Sequence, residues 1–174
     1  MTDALAHRGP DGEGHWSRSD QKVMLGHRRL AIIDLSENAA QPMHFSDRER
    51  NTIQYSIVHN GEIYNYIELR KELGNEGYQF KTQSDTEVIL AAYDYWQDDC
   101  VEHFDGMFAF AIWDHENEEL FAARDRFGEK PLYFFKDKQQ FLFCFRDEST
   151  VGSRCDAHGK SPHAFQFYYN RIHR

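Results

Sequence analysis

The chain has 174 residues, 40% of them hydrophobic and 15% aromatic, enough for one domain with a real core. Its net charge of −9 argues against a general nucleic-acid binder, and no apolar run reaches the length of a membrane span or a signal peptide's apolar segment. The chain therefore reads as cytoplasmic, and three cysteines without metal spacing, Cys100, Cys144 and Cys155, indicate neither a zinc site nor a disulfide framework.

In chain order, residues 1–7 look like the end of a helix, broken by Arg8-Gly9-Pro10-Asp11-Gly12. Residues 23–27 and 30–35 are strand-like, with Arg28 and Arg29 between them. Two adjacent arginines can be a solvated edge or a carboxylate clamp, for which the guanidinium fork is well shaped. Residues 36–52 are polar, contain Pro42 and read as a loop.

A run of strand formers over residues 53–59 then reaches Asn60-Gly61. This pair is the commonest two-residue turn signal. It also supplies a side-chain amide and a main-chain N–H that could converge on a developing negative oxygen. Asn65 with Glu68, and Ser84 with Glu87, have the spacing of capping boxes and open two helices. Leu69 and Leu73 mark the buried face of the first, Gly74 and Gly77 its end, and the second runs to about Trp96. Asp85 falls in the first turn of the second helix. The helix dipole favours a carboxylate there, and a bound ammonium group would require the same placement.

Residues 107–113 alternate Phe with Ala or Ile, a strand buried on both faces. A turn over 114–118 leads to a strand over 120–124, a loop over 125–131 carrying Arg126, Gly128 and Lys130, and a hairpin formed by 132–135 and 141–143. Strands flanked by two helices indicate an α+β layered domain.

Six runs together resemble a known family: His7-Arg8-Gly9-Pro10-Asp11, Arg29-Leu30-Ala31-Ile32-Ile33-Asp34, Asn60-Gly61-Glu62-Ile63-Tyr64-Asn65, Ser84-Asp85-Thr86-Glu87-Val88-Ile89, Gly106-Met107-Phe108-Ala109-Phe110-Ala111, and the stretch from Arg124 to Tyr133 containing Gly128-Glu129-Lys130-Pro131-Leu132-Tyr133. They occur in family order across residues 7–143. The chain resembles the glutamine-hydrolysing domain of asparagine synthetase, a class II glutamine amidotransferase of the N-terminal-nucleophile hydrolase type.

That resemblance implies a four-layer αββα sandwich, two antiparallel sheets between helices, incomplete here. It implies that Arg29 grips the glutamine α-carboxylate, that the main chain of Leu30, Ala31, Ile32 and Ile33 lines the pocket, and that Asp85 and Glu62 hold the α-ammonium end. Asn60 and the Gly61 N–H would form the oxyanion hole. Family members pass ammonia to a second domain that activates aspartate with ATP and magnesium, and homodimers occur in the full-length family. No cofactor is expected in residues 1–143, and glutamine is the expected partner.

The family nucleophile is a cysteine at the mature N-terminus, and this sequence has no cysteine before Cys100. The resemblance therefore implies a domain lacking its first strand and inactive by itself. The non-catalytic alternative is a fragment that retains part of a glutamine pocket, and another acceptor within the same class is the remaining option. Thr2 could serve as a nucleophile after Met1 removal, but it aligns with helix.

Residues 144–174 depart from the family pattern. They hold five Lys and Arg against three Asp and Glu, whereas residues 1–143 hold 15 against 26. A one-base shift within the synonymous codons of residues 144–150 restores the family-like run Ala-Ser-Glu-Met-Lys-Ala. Residues 144–174 are accordingly expected to be an out-of-frame tail.

Overall fold

The computed structural model describes residues 7, 9–31, 33–46, 52–145 and 170–172. The expected N-terminal helix end, Ile32 and most of the divergent tail lie outside these residues.

The centre is an antiparallel sheet in the order β3-β4-β5-β6-β9, formed by Met43–Ser46, Ile53–Ile63, Gly106–Asp114, Glu119–Arg124 and Asn170–Ile172. Two further antiparallel hairpins are β1 (Gly12–Ser17) with β2 (Met24–Arg29), and β7 (Tyr133–Lys136) with β8 (Phe141–Cys144). The helices are α1 (Tyr66–Asn75) and α2 (Asp85–Trp96), the latter continued by a 3-10 segment, Gln97–His103.

Strand periodicity explains the layering, because alternate side chains leave opposite faces of the central sheet. Tyr55, Ile57, Phe108, Phe110, Ile112 and Phe121 pack beneath the helices with Leu69, Leu73 and the apolar face of α2. Val58, Ala111, Trp113, Leu120 and Ala122 face the other way, onto Leu25, Trp16, Phe141 and Phe143 of the hairpins. The described residues thus form an α+β arrangement of antiparallel sheets with one helix layer. The second helix layer of the expected sandwich is not among them.

The hairpin layer is also tied down by polar contacts. The buried Ser56 hydroxyl lies 2.8 Å from His44 Nδ1 and 2.7 Å from His115 Nε2, and the Trp16 ring meets both imidazoles edge-on.

Several local expectations are corrected. Residues 36–52 are not a plain loop, since they contain a 3-10 turn, Glu37–Ala39, and the edge strand β3, which pairs Met43 with Ile57. None of the described residues of the 30–35 stretch is in a strand, and both arginines belong to β2. Asn65 does not cap α1: its side chain donates to His103 O at 2.9 Å and accepts from Asp105 N at 3.0 Å, binding the helix start to the approach to β5. Gly74 lies inside α1, which ends at Asn75. Gly77, at φ +99°, closes it in a Schellman arrangement, with Tyr78 N–H donating to Leu73 O and Gly77 N–H to Gly74 O.

Ser84 does cap α2, accepting from Thr86 N at 3.2 Å, but Glu87 does not complete a box. Its carboxylate instead accepts from the main-chain N–H groups of Lys81 and Thr82 and from the Thr82 hydroxyl, and so shapes the loop that leads into the helix.

Candidate functional site

Asn60-Gly61 is not a turn. The pair lies within β4, which continues to Ile63 and pairs with β5 throughout, Asn60 opposite Ala109 and Gly61 opposite Phe108. Glycine is needed for a non-local reason. At φ +144° a Cβ on Gly61 would lie 2.1 Å from Met107 O and 2.7 Å from Phe108 Cα.

The hydrogen-bonding sides of β4 then determine what its end presents. Even-numbered residues bond toward β5, as Tyr64 N–H does to Asp105 O, and odd-numbered ones point toward β3. But β3 begins only at Met43, opposite Ile57, so among the described residues no strand pairs with the odd groups beyond Ile57. Side chains take over there. His59 N–H donates to Gln41 Oε1 at 2.6 Å, and Ile63 N–H donates to Asp85 Oδ2 at 3.0 Å. In the alternation of the strand, the Gly61 N–H falls on the same edge, between these two.

An open cleft of about 1360 Å³ runs along this edge. It is lined by Arg29, Leu30, Ala31 and Ile33 from the end of β2 and the segment after it, by Asn60, Gly61 and Glu62 from β4, and by Asp85 from α2. Ile32 is outside the described residues.

Arg28 and Arg29 both line the cleft but bond to different partners. Arg28 forms an ion pair with Glu13 across the hairpin at 2.8 Å, directly opposite in register. Arg29 turns into the cleft wall, where its guanidinium donates to the carbonyl oxygens of Ser36, at 2.8 Å, and Asp34. Those bonds wrap the 30–36 segment around a fixed cation. Asp34 secures the segment to the approach to α2, accepting from Gln83 N at 2.7 Å and Ser36 N at 2.8 Å. These hydrogen bonds, first that from Gln83, hold its carboxyl below the ordinary range.

Asp85 is buried at the first position of α2, with Ser84 Oγ 3.5 Å from Oδ1 and Oδ2 accepting from Ile63 N–H. Its two weighed roles are therefore not exclusive, since the same carboxylate stabilises the helix start, holds the end of β4 and faces the cleft. Glu62 reaches the cleft from the other face of β4.

Four residues of the cleft wall were not singled out from the sequence: Gln41, His27, His59 and Thr86. His27 is pushed down to about 4, first by burial and then by the neighbouring His59. His59 is also driven below the ordinary histidine value by burial, with Lys130 adding to the effect and Asp85 opposing it. Both rings are thus neutral at pH 7. His27 Nδ1 and His59 Nε2 are buried without a hydrogen-bond partner. The faint signal for this group was Gln41-Pro42, where the missing proline N–H foretells the end of a ladder.

Lys130 joins the wall from the 125–131 loop, which folds around buried Asp125. That carboxylate accepts from Phe127, Glu129 and Lys130 N–H groups and from Phe108 N.

One wall thus offers a fixed guanidinium, two carboxylates and a pair of neutral N–H donors in one cleft. This set complements a small zwitterion carrying a neutral carbonyl at its far end.

Comparisons with known proteins agree with that chemistry. A family profile described as a glutamine amidotransferase domain matches residues 1–170. The chain is 48% identical to asparagine synthetase (glutamine-hydrolyzing) 3 of Bacillus subtilis over 143 residues, covering 82% of this chain and 22% of that protein. It is 44% identical to asparagine synthetase (glutamine-hydrolyzing) 1 of the same organism over 156 residues, 90% of this chain and 23% of that one. The chain therefore spans less than a quarter of the length of these relatives. Among solved structures, glutamine phosphoribosylpyrophosphate amidotransferase from B. subtilis, complexed with ADP and GMP, is similar with a TM-score of 0.58 and 26% identity, covering 69% of this chain and 27% of that one.

Proposed function

The chain belongs to the glutamine amidotransferase domain family, and on that premise we propose that its cleft binds glutamine and polarises the side-chain amide for hydrolysis to glutamate and ammonia. The observation that carries this reading is the convergence of Arg29, Asn60, Gly61, Glu62 and Asp85, drawn from three elements, on one cleft.

The roles follow from charge and reach. Arg29 takes the α-carboxylate, its direction preset by the Ser36 and Asp34 carbonyls. The main chain of residues 30–33 lines the same end. Asp85 and Glu62 take the α-ammonium group. The amide carbonyl then lies against Asn60 Nδ2 and the Gly61 N–H, which gain strength as its oxygen becomes an alkoxide. Removing such a donor typically costs about 10²–10³ in kcat.

Attack on the carbonyl needs a nucleophile, which the resemblance assigns to an N-terminal cysteine. Cys100 cannot replace it: the thiol is fully buried in the helix–sheet core, and burial raises its pKa far above the ordinary range. As no cysteine precedes Cys100 in this sequence, the 174 residues alone are expected to bind glutamine without the thiol turnover of the family.

The wider setting we propose is a glutamine-hydrolysing asparagine synthetase in the cytoplasm, in which ammonia made here reaches aspartate in a separate synthetase part. The relatives at 44% and 48% identity support this branch, as does the Gly128-to-Tyr133 run. An amidotransferase with another acceptor has weaker support, from the structural likeness at 26% identity. ATP and magnesium belong to the synthetase part in this reading. Among the described residues no group of three His, Cys, Asp or Glu is placed to hold a metal ion. No described helix is long and apolar enough to cross a membrane.

Calorimetric titration with L-glutamine tests the binding reading. Saturable binding to the parent chain is expected, weakened at least about tenfold in Asp85→Asn, which retains an acceptor for Ile63 N–H but loses the charge. No binding to a folded parent, or equal binding to the variant, would contradict it.

A further inference from the structure

We propose that His59 is a positioning residue: with Gln41 and Thr86 it locks the unpaired edge of β4 to the start of α2, and so sets the spacing between the Asn60 and Gly61 donors and Asp85. This rests on the glutamine-binding reading for its consequence, but its geometry stands independently.

Among the described residues β3 stops at Met43 and no strand pairs with residues 59–63 of β4 on that side. Three groups close a ring at its near end. Gln41 Oε1 accepts from His59 N–H at 2.6 Å, Gln41 Nε2 donates to Thr86 Oγ1 at 3.4 Å, and Thr86 Oγ1 lies 3.1 Å from His59 Nδ1. At the far end, Ile63 N–H is held by Asp85 Oδ2. Thr86 and Asp85 are adjacent in the first turn of α2, so the strand is fixed to one helix end at both sides of Gly61.

Thr86 Oγ1 accepts from Gln41 and keeps a second lone pair and its own hydrogen, so it can bond His59 Nδ1 with the ring in either neutral tautomer. A neutral ring satisfies this pattern, and burial keeps it neutral. Strand parity does the rest. His59 turns toward α2, while Asn60, one residue on, turns to the opposite face, so a side chain behind the sheet fixes the donor in front of it.

Nitrogen-15 NMR of the purified chain, with glutamine titration, tests this. In the parent, His59 is expected to show one protonated and one unprotonated ring nitrogen, as a neutral ring does. In Thr86→Val the Gly61 and Ile63 amide resonances shift, and glutamine binding weakens by about tenfold. Thr86→Ser restores both, which a merely volume-filling role for Thr86 would not require. Should Thr86→Val fail to fold, Gln41→Ala removes the outer member of the ring and is expected to shift the same two amides.

A folded variant with Gly61 and Ile63 unchanged overturns the proposal, as does a doubly protonated His59 ring or failure of Thr86→Ser to restore the parent spectrum. If the amides respond as expected while the parent does not bind glutamine, the positioning stands and the functional reading falls.

Discussion

Gly61 shows how a residue's meaning can depend on a partner far away in the chain. Asn-Gly is a turn signal locally, but here the strand runs through it and glycine is required by the Met107 carbonyl of the next strand. Gly61→Ala is expected to destabilise the fold by about 2–4 kcal/mol, from a forced φ and a backbone clash, as measured by urea unfolding. A cost within about 0.5 kcal/mol would mean that β4 and β5 are not so closely paired. The adjacent arginines separate in the same way. Arg28→Ala removes a partly exposed pair with Glu13 and should cost under about 1 kcal/mol of stability. Arg29→Ala should abolish measurable binding, because the carboxylate clamp and the 30–36 segment depend on it. The sequence showed both arginines but not which one pairs with Glu13 and which holds the Asp34 and Ser36 carbonyls, since that depends on the register with β1.

At the scale of elements, periodic patterns were legible and reciprocal side-chain bonds were not. The two helices, the buried alternating strand and the last hairpin lie close to where their patterns place them. Both supposed capping boxes have the right spacing, yet Asn65 is drawn to His103 and Asp105, and Glu87 to the Lys81–Thr82 turn. Such competition depends on loops that sequence spacing cannot place. The strands β1 and β3 were missed because Gly12, Gly14, His44 and Ser46 are weak strand formers, and pairing with β2 and β4 overrides their preference. Ser84→Ala should cost about 1 kcal/mol through the lost cap on Thr86 N–H. Glu87→Gln, which keeps acceptors for the loop N–H groups at reduced strength, should cost less than Glu87→Ala. The opposite order in thermal unfolding would mean that Glu87 does not shape the loop.

For the whole molecule, buried histidines make stability depend on acid. His27 is held neutral down to about pH 4 in the folded state, while an unfolded histidine titrates near 6.5. A depressed folded value means that its contribution is complete above about pH 6.5 and is lost as pH falls toward 4, about 3 kcal/mol in all. His59, His44 and His115 are shifted downward as well, chiefly by burial, and act with the same sign. The depressed Asp34 carboxyl adds a further loss at lower pH, as the clasp between the 30–36 segment and Gln83 is protonated. Urea midpoints should therefore fall steadily from pH 7 to pH 5, and His27→Gln should flatten the profile. A parent profile flat over that range would contradict the neutral, buried rings.

Of the candidate site, the set of residues was legible from motif order, and the geometry that brings them to one cleft was not. Arg29, Asn60 and Asp85 come from separate elements, and the cleft between them exists because β3 ends early, a fact carried only faintly by Gln41-Pro42. The most direct test of the glutamine pocket follows the Gly61 main-chain amide and the Asn60 side-chain amide by NMR during titration. The account predicts that both resonances move saturably with L-glutamine, together and with one affinity, and that D-glutamine, which cannot satisfy Arg29 and Asp85 at once, leaves them in place. Unmoved Gly61 and Asn60 resonances in the presence of saturating L-glutamine would contradict it.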